Sequence, residues 1–168
     1  TSVNTLSLHD ALPILLTALD RAGAKMSISD NSVAIMRSEM EAFEFDSTES
    51  PDLFPPLVAL ASYCNGVTGI KGARRLIHKE SNRADALVEE FGKLGIKVEV
   101  SNDYMIVTGG KVNGGKVNSH EDHRIAMALA TAALGATGKV AVRDSHCIGK
   151  SYPEFFDDLR KAGAQIYE

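Results

Sequence analysis

The densest set of reactive side chains in this 168-residue chain lies at SHEDHR, residues 119–124. Two histidines, two carboxylates and an arginine crowd together there, just ahead of the small apolar run IAMALATAAL. Three kinds of chemistry use such a set. Imidazoles and carboxylates can hold a metal, a histidine beside an acid can move a proton, and an arginine at the mouth of a buried helix can grip an anion. The spacing speaks against the metal. His120 and His123 are three apart rather than the four of a helical HExxH pair, and no third ligand follows at a recognised distance.

Other charged residues occupy the same kind of place in the chain. In FDSTESPDLFPPLVALA, Ser50 reads as a helix N-cap, Pro51 as the first helical residue, and Asp52 falls in the first turn. In HKESNRADALVEEFGKLG, Ser81 reads as the cap, with Lys79 and Glu80 just before it and Arg83 just after. In GKSYPEFFDDLRKAG, Ser151 and Glu154 have the spacing of a capping box, and Lys150 stands upstream. Asp122 is the corresponding cap in SHEDHRIAMALA, where His123 and Arg124 open the helix. Cations at a helix N-terminus oppose the macrodipole. They become favourable when an anion lies between them and the free backbone N–H groups. Arg83, Arg124 and Lys150 in matching positions therefore describe a converging pocket for a small polyanion, with Asp52 and Glu80 placed for proton transfer beside it. A set of solvated surface charges fits the same pattern, and spacing alone leaves both open. His78, His120 and His146 read as surface or loop residues, and Cys64 and Cys147 as packed ones.

The elements that position these residues repeat. LLTALDRAGAKMSI, LVEEFGKLGIKVEV and FFDDLRKAGAQIYE each carry apolar residues at helical spacing, then a glycine, then an alternating strand. Gly23, Gly95 and Gly163 fit the left-handed turn that ends a helix, and they recur at a period of about seventy residues. PLVALASYCNGVTGIKG and IAMALATAALGATGKVAVR form a second pattern of small-residue helix, turn and strand, each followed by a basic loop. Asn102-Asp103 marks a hairpin pairing VEV with MIVTG, and GGKVNGG reads as a flexible turn. The expected fold is α/β, with about two such units plus part of a third.

Composition limits the function classes. Hydrophobic residues make up 44% and charged residues 24%, ordinary for a soluble globular protein. A net charge of −4 argues against a general nucleic-acid binder. The two cysteines match no zinc or redox spacing, which makes a reducing cytosol and a cytoplasmic location the expectation. The longest apolar run, 125–136, is too short to span a bilayer. Residues 1–14 stand apart. They lack the basic start and cleavage site of a signal peptide. TLSLHDALPI, residues 5–14, is codon for codon the translation of an oligonucleotide resembling a widely used sequencing adapter. Segment 1–14, with its His9-Asp10 pair, is thus read as non-native, against the competing reading of an amphipathic helix start, and 15–168 as the functional unit.

PDLFPPLVALA, RLIHKESNRA, DHRIAMALA and KSYPEFF, in this order and spacing, resemble the C-terminal portion of the EPSP synthase family of enolpyruvyl transferases. The resemblance implies repeated βαβαββ units with mixed sheets packed on small-residue helices. It implies a reaction of the shikimate pathway of aromatic amino acid biosynthesis: transfer of the enolpyruvyl group of phosphoenolpyruvate to the 5-hydroxyl of shikimate 3-phosphate, with phosphate release. By the same resemblance Asp52 contacts the attacking hydroxyl and accepts its proton, Glu80 protonates the phosphoenolpyruvate methylene, and His123 stands beside that acid. Arg83 and Arg124 clamp the phosphoenolpyruvate carboxylate, and Lys79 and Lys150 lie near phosphates. No metal, organic cofactor, nucleic acid or membrane is implied. Two departures appear. Asn82 stands where the family's common form has an acid, and the family's first domain has no counterpart here, so this chain by itself is expected to be inactive without that N-terminal domain. Three other readings compete: a UDP-N-acetylglucosamine enolpyruvyl transferase, for which DHR and KSYP are the wrong triplet and ending; a non-catalytic anion-binding module; and a metal hydrolase built on His120 and His123.

Overall fold

The computed structural model describes residues 8–30, 32–76 and 82–167. The chain opens with α1 (Leu8–Arg21) and the hairpin β1 (Lys25–Ser29) and β2 (Ser32–Met36). A complete βαβαββ unit follows. β3 (Glu44–Asp46) runs through a 3-10 turn (Pro51–Leu53) into α2 (Phe54–Ala61). β4 (Val67–Lys71) leads through a second 3-10 turn (Ala73–Leu76) toward α3 (Arg83–Lys93), and the hairpin β5 (Lys97–Ser101) and β6 (Tyr104–Thr108) closes the unit. The next unit supplies β7 (Gly115–Asn118), α4 (His123–Ala133), β8 (Val140–Arg143), a 3-10 turn (Ser145–Lys150) and α5 (Phe155–Lys161).

The sheets are mixed, as the repeat required. In the complete unit the strand order is β3-β4-β6-β5; β3 and β4 are parallel and the other pairs antiparallel. β7 and β8 form a parallel pair, β1 and β2 an antiparallel one. Gly23, Gly95 and Gly163 take φ of 78°, 83° and 98°, so each helix ends in the left-handed turn that glycine adopts without a Cβ penalty. After Gly163, however, residues 164–167 form no strand.

Two small-residue helices form the centre. α2 buries Phe54, Leu57, Val58 and Ala61 and packs against α4, which buries Ile125, Ala128 and Leu129. A helix apolar on nearly all sides has to be central, and the alanines of α4 allow the close approach. The Tyr63 hydroxyl, just past α2, donates to the Ala132 carbonyl. On the complete sheet Phe45, Ile70, Val98, Met105 and Val107 face this core, while Lys71, Lys97 and Glu99 alternate outward. Arg21 ties α1 to β3, donating to the Glu44 carbonyl with its guanidinium over the Phe45 ring.

Several local expectations are corrected. GGKVNGG is not a loose turn: Val112 is 1% exposed, Asn113 N–H donates to the Leu94 carbonyl and Thr137 N–H to that of Val112. Two of its glycines serve close packing: a Cβ on Gly109 would overlap the Cys64 carbonyl oxygen, and one on Gly114 would sit 2.8 Å from the Gly138 carbonyl carbon. Asn82, not Ser81, caps α3, its side chain accepting from Asp85 N–H; Ser81 lies outside the described residues. The Ser151–Glu154 capping box does not form, because the 3-10 turn continues to Lys150 and α5 begins only at Phe155. Pro51 opens its turn as expected, but the Ser50 side chain makes no cap bond. At the front, α1 runs without a break across residues 14 and 15, and Ile14 and Leu15 both pack on the core.

Candidate functional site

The strand-to-helix turns carry the residues singled out in the sequence. Asp52 lies in the turn from β3 to α2, and Arg83 ends the connection from β4 to α3. His123 and Arg124 open α4 just after the β7–α4 connection, and Lys150 lies between β8 and α5. Lys79 and Glu80 belong to the second connection but lie outside the described residues, as does His78.

Three of these turns converge on one charge cluster. Arg83 is fully buried. Its Nη1 lies 2.7 Å from Asp52 Oδ1, its Nε 2.7 Å from Asp122 Oδ2 and its Nη2 3.4 Å from Asp122 Oδ1. Arg124 Nη2 contacts the other Asp52 oxygen at 3.0 Å. The two guanidinium groups are thus close enough to share one carboxylate, and in this structure that carboxylate is Asp52. Asp122 is also fully buried and does two things at once: it forks onto Arg83 and, as N-cap of α4, accepts from Arg124 N–H at 2.9 Å. A buried arginine without such partners would be prohibitive to desolvate; here two carboxylates pair Arg83. Arg124 differs. Its side chain is 28% exposed, yet its Nε is buried with no acceptor among the described residues.

Lys150 stands aside, exposed and without an ion pair among the described residues. His120 lies in the loop between β7 and α4, the surface or loop place expected of it. Its side chain, 33% exposed, leans on α3, with Nε2 2.7 Å from Glu90 Oε1. Glu90 is fully buried, accepts Asn118 N–H at 2.8 Å and contacts Lys93 Nζ at 2.8 Å. Burial pushes its carboxyl up, but Lys93, the Asn118 N–H and His120 together outweigh that and hold it below the ordinary carboxylate range. Glu89, Glu90 and His120 are the potential metal ligands that converge among the described residues, within 4.8 Å, and His123 is not one of them. The Lys93 ammonium already bonds both glutamates. Among the described residues His120 and His123 do not converge as metal ligands. A cavity of about 330 Å³ lies over this group, lined also by Lys116, Val117 and Arg143, and includes none of Asp52, Arg83 or Arg124. Burial, with Glu41 nearby, pushes the Cys64 thiol up to about 11, so it is unreactive at neutral pH.

Sequence reasoning missed two residues, Asp122 as the arginine's main partner and Glu90. A signal existed for both. Arg83 and Glu90 fall on the same stripe of α3 as Ala84, Leu87 and Phe91; two charges seven apart on an apolar face need buried partners.

A mixed α/β repeat with small-residue helices inside and ionic groups at its strand-to-helix turns is the architecture of enolpyruvyl transferases. The structure matches EPSP synthase from Acinetobacter baumannii with a TM-score of 0.81 at 26% identity, covering 89% of this chain and 38% of that one. It matches the enolpyruvyl transferase NikO from Streptomyces tendae with a TM-score of 0.75 at 25% identity, covering 94% and 36%. The family model for EPSP synthase (3-phosphoshikimate 1-carboxyvinyltransferase) matches residues 2–159. The 3-phosphoshikimate 1-carboxyvinyltransferase of Pyrococcus abyssi is 42% identical over 147 residues, 88% of this chain and 36% of that protein. The chain belongs to the EPSP synthase family, and it spans about 36% of the length of this curated relative. Among the described residues no helix is long and apolar enough to cross a membrane.

Proposed function

We propose that this chain supplies part of the active site of an enzyme that moves the enolpyruvyl group of phosphoenolpyruvate to the 5-hydroxyl of shikimate 3-phosphate, releasing phosphate. One observation carries the reading: Arg83 and Arg124 bracket a single carboxylate, and Arg124 keeps a buried Nε–H with no acceptor among the described residues. The carboxylate of phosphoenolpyruvate takes the place of Asp52 on Arg124 and gains the Nε–H as the second arm of a bidentate grip. Arg83, fixed by Asp122, keeps the local charge in place without reorganising. An adjacent cation favours the ionised form of a carboxylate, so one that gives up its guanidinium partners gains proton affinity. Asp52 then accepts the proton of the attacking hydroxyl.

The remaining roles follow the family resemblance. Glu80 delivers a proton to the methylene carbon as the new C–O bond forms, and loss of a proton from that carbon with expulsion of phosphate restores the double bond. His123 stands beside Glu80, and Lys79 and Lys150 receive phosphate charge. Holding two anions together against their repulsion is the main task of these cations. The substrate's remaining contacts come from the family's N-terminal domain, and the 168 residues taken by themselves do not turn over.

A chimera tests this: the P. abyssi enzyme with its aligned segment replaced by this chain, assayed for phosphate release from phosphoenolpyruvate and shikimate 3-phosphate. The chimera is expected to be active, with Glu80→Ala or Arg124→Met each lowering kcat/KM by about a hundredfold or more. A folded, silent chimera that still binds phosphoenolpyruvate would make this a non-catalytic anion-binding module. Turnover with UDP-N-acetylglucosamine instead would assign it to that acceptor, and phosphate release by the chain alone would refute its dependence on a second domain.

A further inference from the structure

Glu90 has no place in the reaction above, yet it is a fully buried carboxylate on the same helix as Arg83. The segment 118–122 is strung between the two. Asn118 N–H and His120 Nε2 reach Glu90 at 2.8 and 2.7 Å, and four residues after Asn118 the Asp122 carboxylate reaches Arg83. In between, His120 and Glu121 take φ of 53° and 56°, two consecutive non-glycine residues in the left-handed region. Such a conformation persists only where its surroundings over-determine it. Here the surroundings are Asn118 Oδ1 accepting His120 N–H at 2.6 Å, Ser119 Oγ accepting Glu121 N–H at 3.1 Å, the Ser119 carbonyl accepting Asp122 N–H at 3.0 Å, and Glu90 holding the imidazole.

We infer that Glu90 and His120 are positioning residues for the arginine clamp. Glu90 fixes the imidazole, the imidazole holds the strained turn, and the turn sets where Asp122 meets Arg83 and where the first turn of α4 carries His123 and Arg124. α3 thus specifies the clamp twice, directly through Arg83 and indirectly through Glu90. Lys93 also bonds Glu90, through the same Oε1 as His120, but its side chain is 40% exposed and among the described residues it bonds only Glu89 and Glu90, not the segment 118–122. It acts on the charge of Glu90 and not on the turn. This inference rests on the clamp reading, and its test reads the arginine itself, so it succeeds or fails whether or not phosphoenolpyruvate binds.

The test is hydrogen exchange of the Arg83 Nε–H, followed by NMR in the intact chain alongside the backbone amides of β4 and β6. His120→Asn keeps a residue that tolerates the left-handed region but is too short to reach Glu90. His120→Gln keeps the reach. His120→Asn is expected to speed Arg83 Nε–H exchange on the order of tenfold, the scale of a lost hydrogen bond to a charged group, while the β4 and β6 amides stay unchanged. His120→Gln should restore slow exchange, and Lys93→Met should leave it slow. Unchanged Arg83 exchange in His120→Asn would overturn the inference. So would a rise shared equally by the strand amides, which would mean general destabilisation. Glu90→Gln, which retains an acceptor for Asn118 N–H, is expected to fall between wild type and His120→Asn.

Discussion

The hairpins β1–β2 and β5–β6 are the same sequence pattern met twice, and they have opposite fates. KMSIS aligns with KVEVS and SVAIM with YMIVT, each pair joined by a two-residue Asp/Asn connection. Their registers match: Met26 opposes Ile35 as Val98 opposes Val107, and Ile28 opposes Val33 as Val100 opposes Met105. Yet Met105 and Val107 are fully buried, while Ile35 is 56% exposed and every residue of β2 is exposed. The difference lies outside the hairpins. β6 pairs with β4, and its inner face meets the core beneath α2 and α3. Among the described residues β1 and β2 pair only with each other. Local pattern makes a hairpin, and only the rest of a unit makes it part of a core. The charge cluster obeys the same rule, since its four residues come from three different strand-to-helix connections, all inside or directly following the complete unit.

The largest expected effect is at the cluster. Asp122→Ala strands Arg83 as a buried cation and removes the cap of α4, so it should cost about 3–5 kcal/mol in urea unfolding. In the hairpins, Met105→Ala should cost about 2–5 kcal/mol. Ile35→Ala, at the position matching buried Val107, should change stability by no more than about 0.5 kcal/mol. A comparable loss at both would mean that β1–β2 is as well packed as β5–β6, and the contrast would fail.

A pH dependence should follow from Glu90. Its folded carboxyl is lowered, so the folded chain binds that proton more weakly than the unfolded one. The stabilisation is complete above the unfolded value of about 4.3 and is lost as pH falls through the folded value. Wild type and Glu90→Gln should therefore differ in urea midpoint at pH 7 and converge in strong acid. The smallest effect concerns the exposed hairpin face. Ile35→Lys should reduce self-association in sedimentation experiments without shifting Tm, as removal of exposed apolar surface does. Residues 1–14, which we propose are non-native, give a related comparison: deletion through Leu12, itself half-exposed, should leave Tm unchanged. A loss of several kcal/mol would show that the segment is integral to the fold.

Much of this was legible in the sequence because it is periodic. Glycines at a fixed recurrence, small-residue helices and an Asn-Asp connection state local geometry directly. Asp122 as a cap and Arg83 and Arg124 as neighbours followed from position at helix starts. What was not legible depended on partners far along the chain. Val112 looked like part of a loose glycine turn because the Leu94 and Thr137 backbones that hold it are remote in sequence. Ser151 looked like a cap because nothing local reveals that a 3-10 turn uses up the preceding residues. Asp52 as the arginines' own carboxylate, and Glu90 as the anchor of a strained turn, are tertiary facts.

The claim at the centre of this account is that the Arg124–Asp52 contact opens to admit a substrate carboxylate. Titrating the isotope-labelled chain with phosphoenolpyruvate while following the Arg124 Nε–H and the Asp52 carboxyl carbon tests it most directly. Both signals should shift together and saturably, and Arg124→Met should abolish the Asp52 response in a chain whose remaining spectrum is unchanged. A phosphoenolpyruvate titration that leaves Arg124 and Asp52 unmoved, or that is the same in Arg124→Met, would contradict the account.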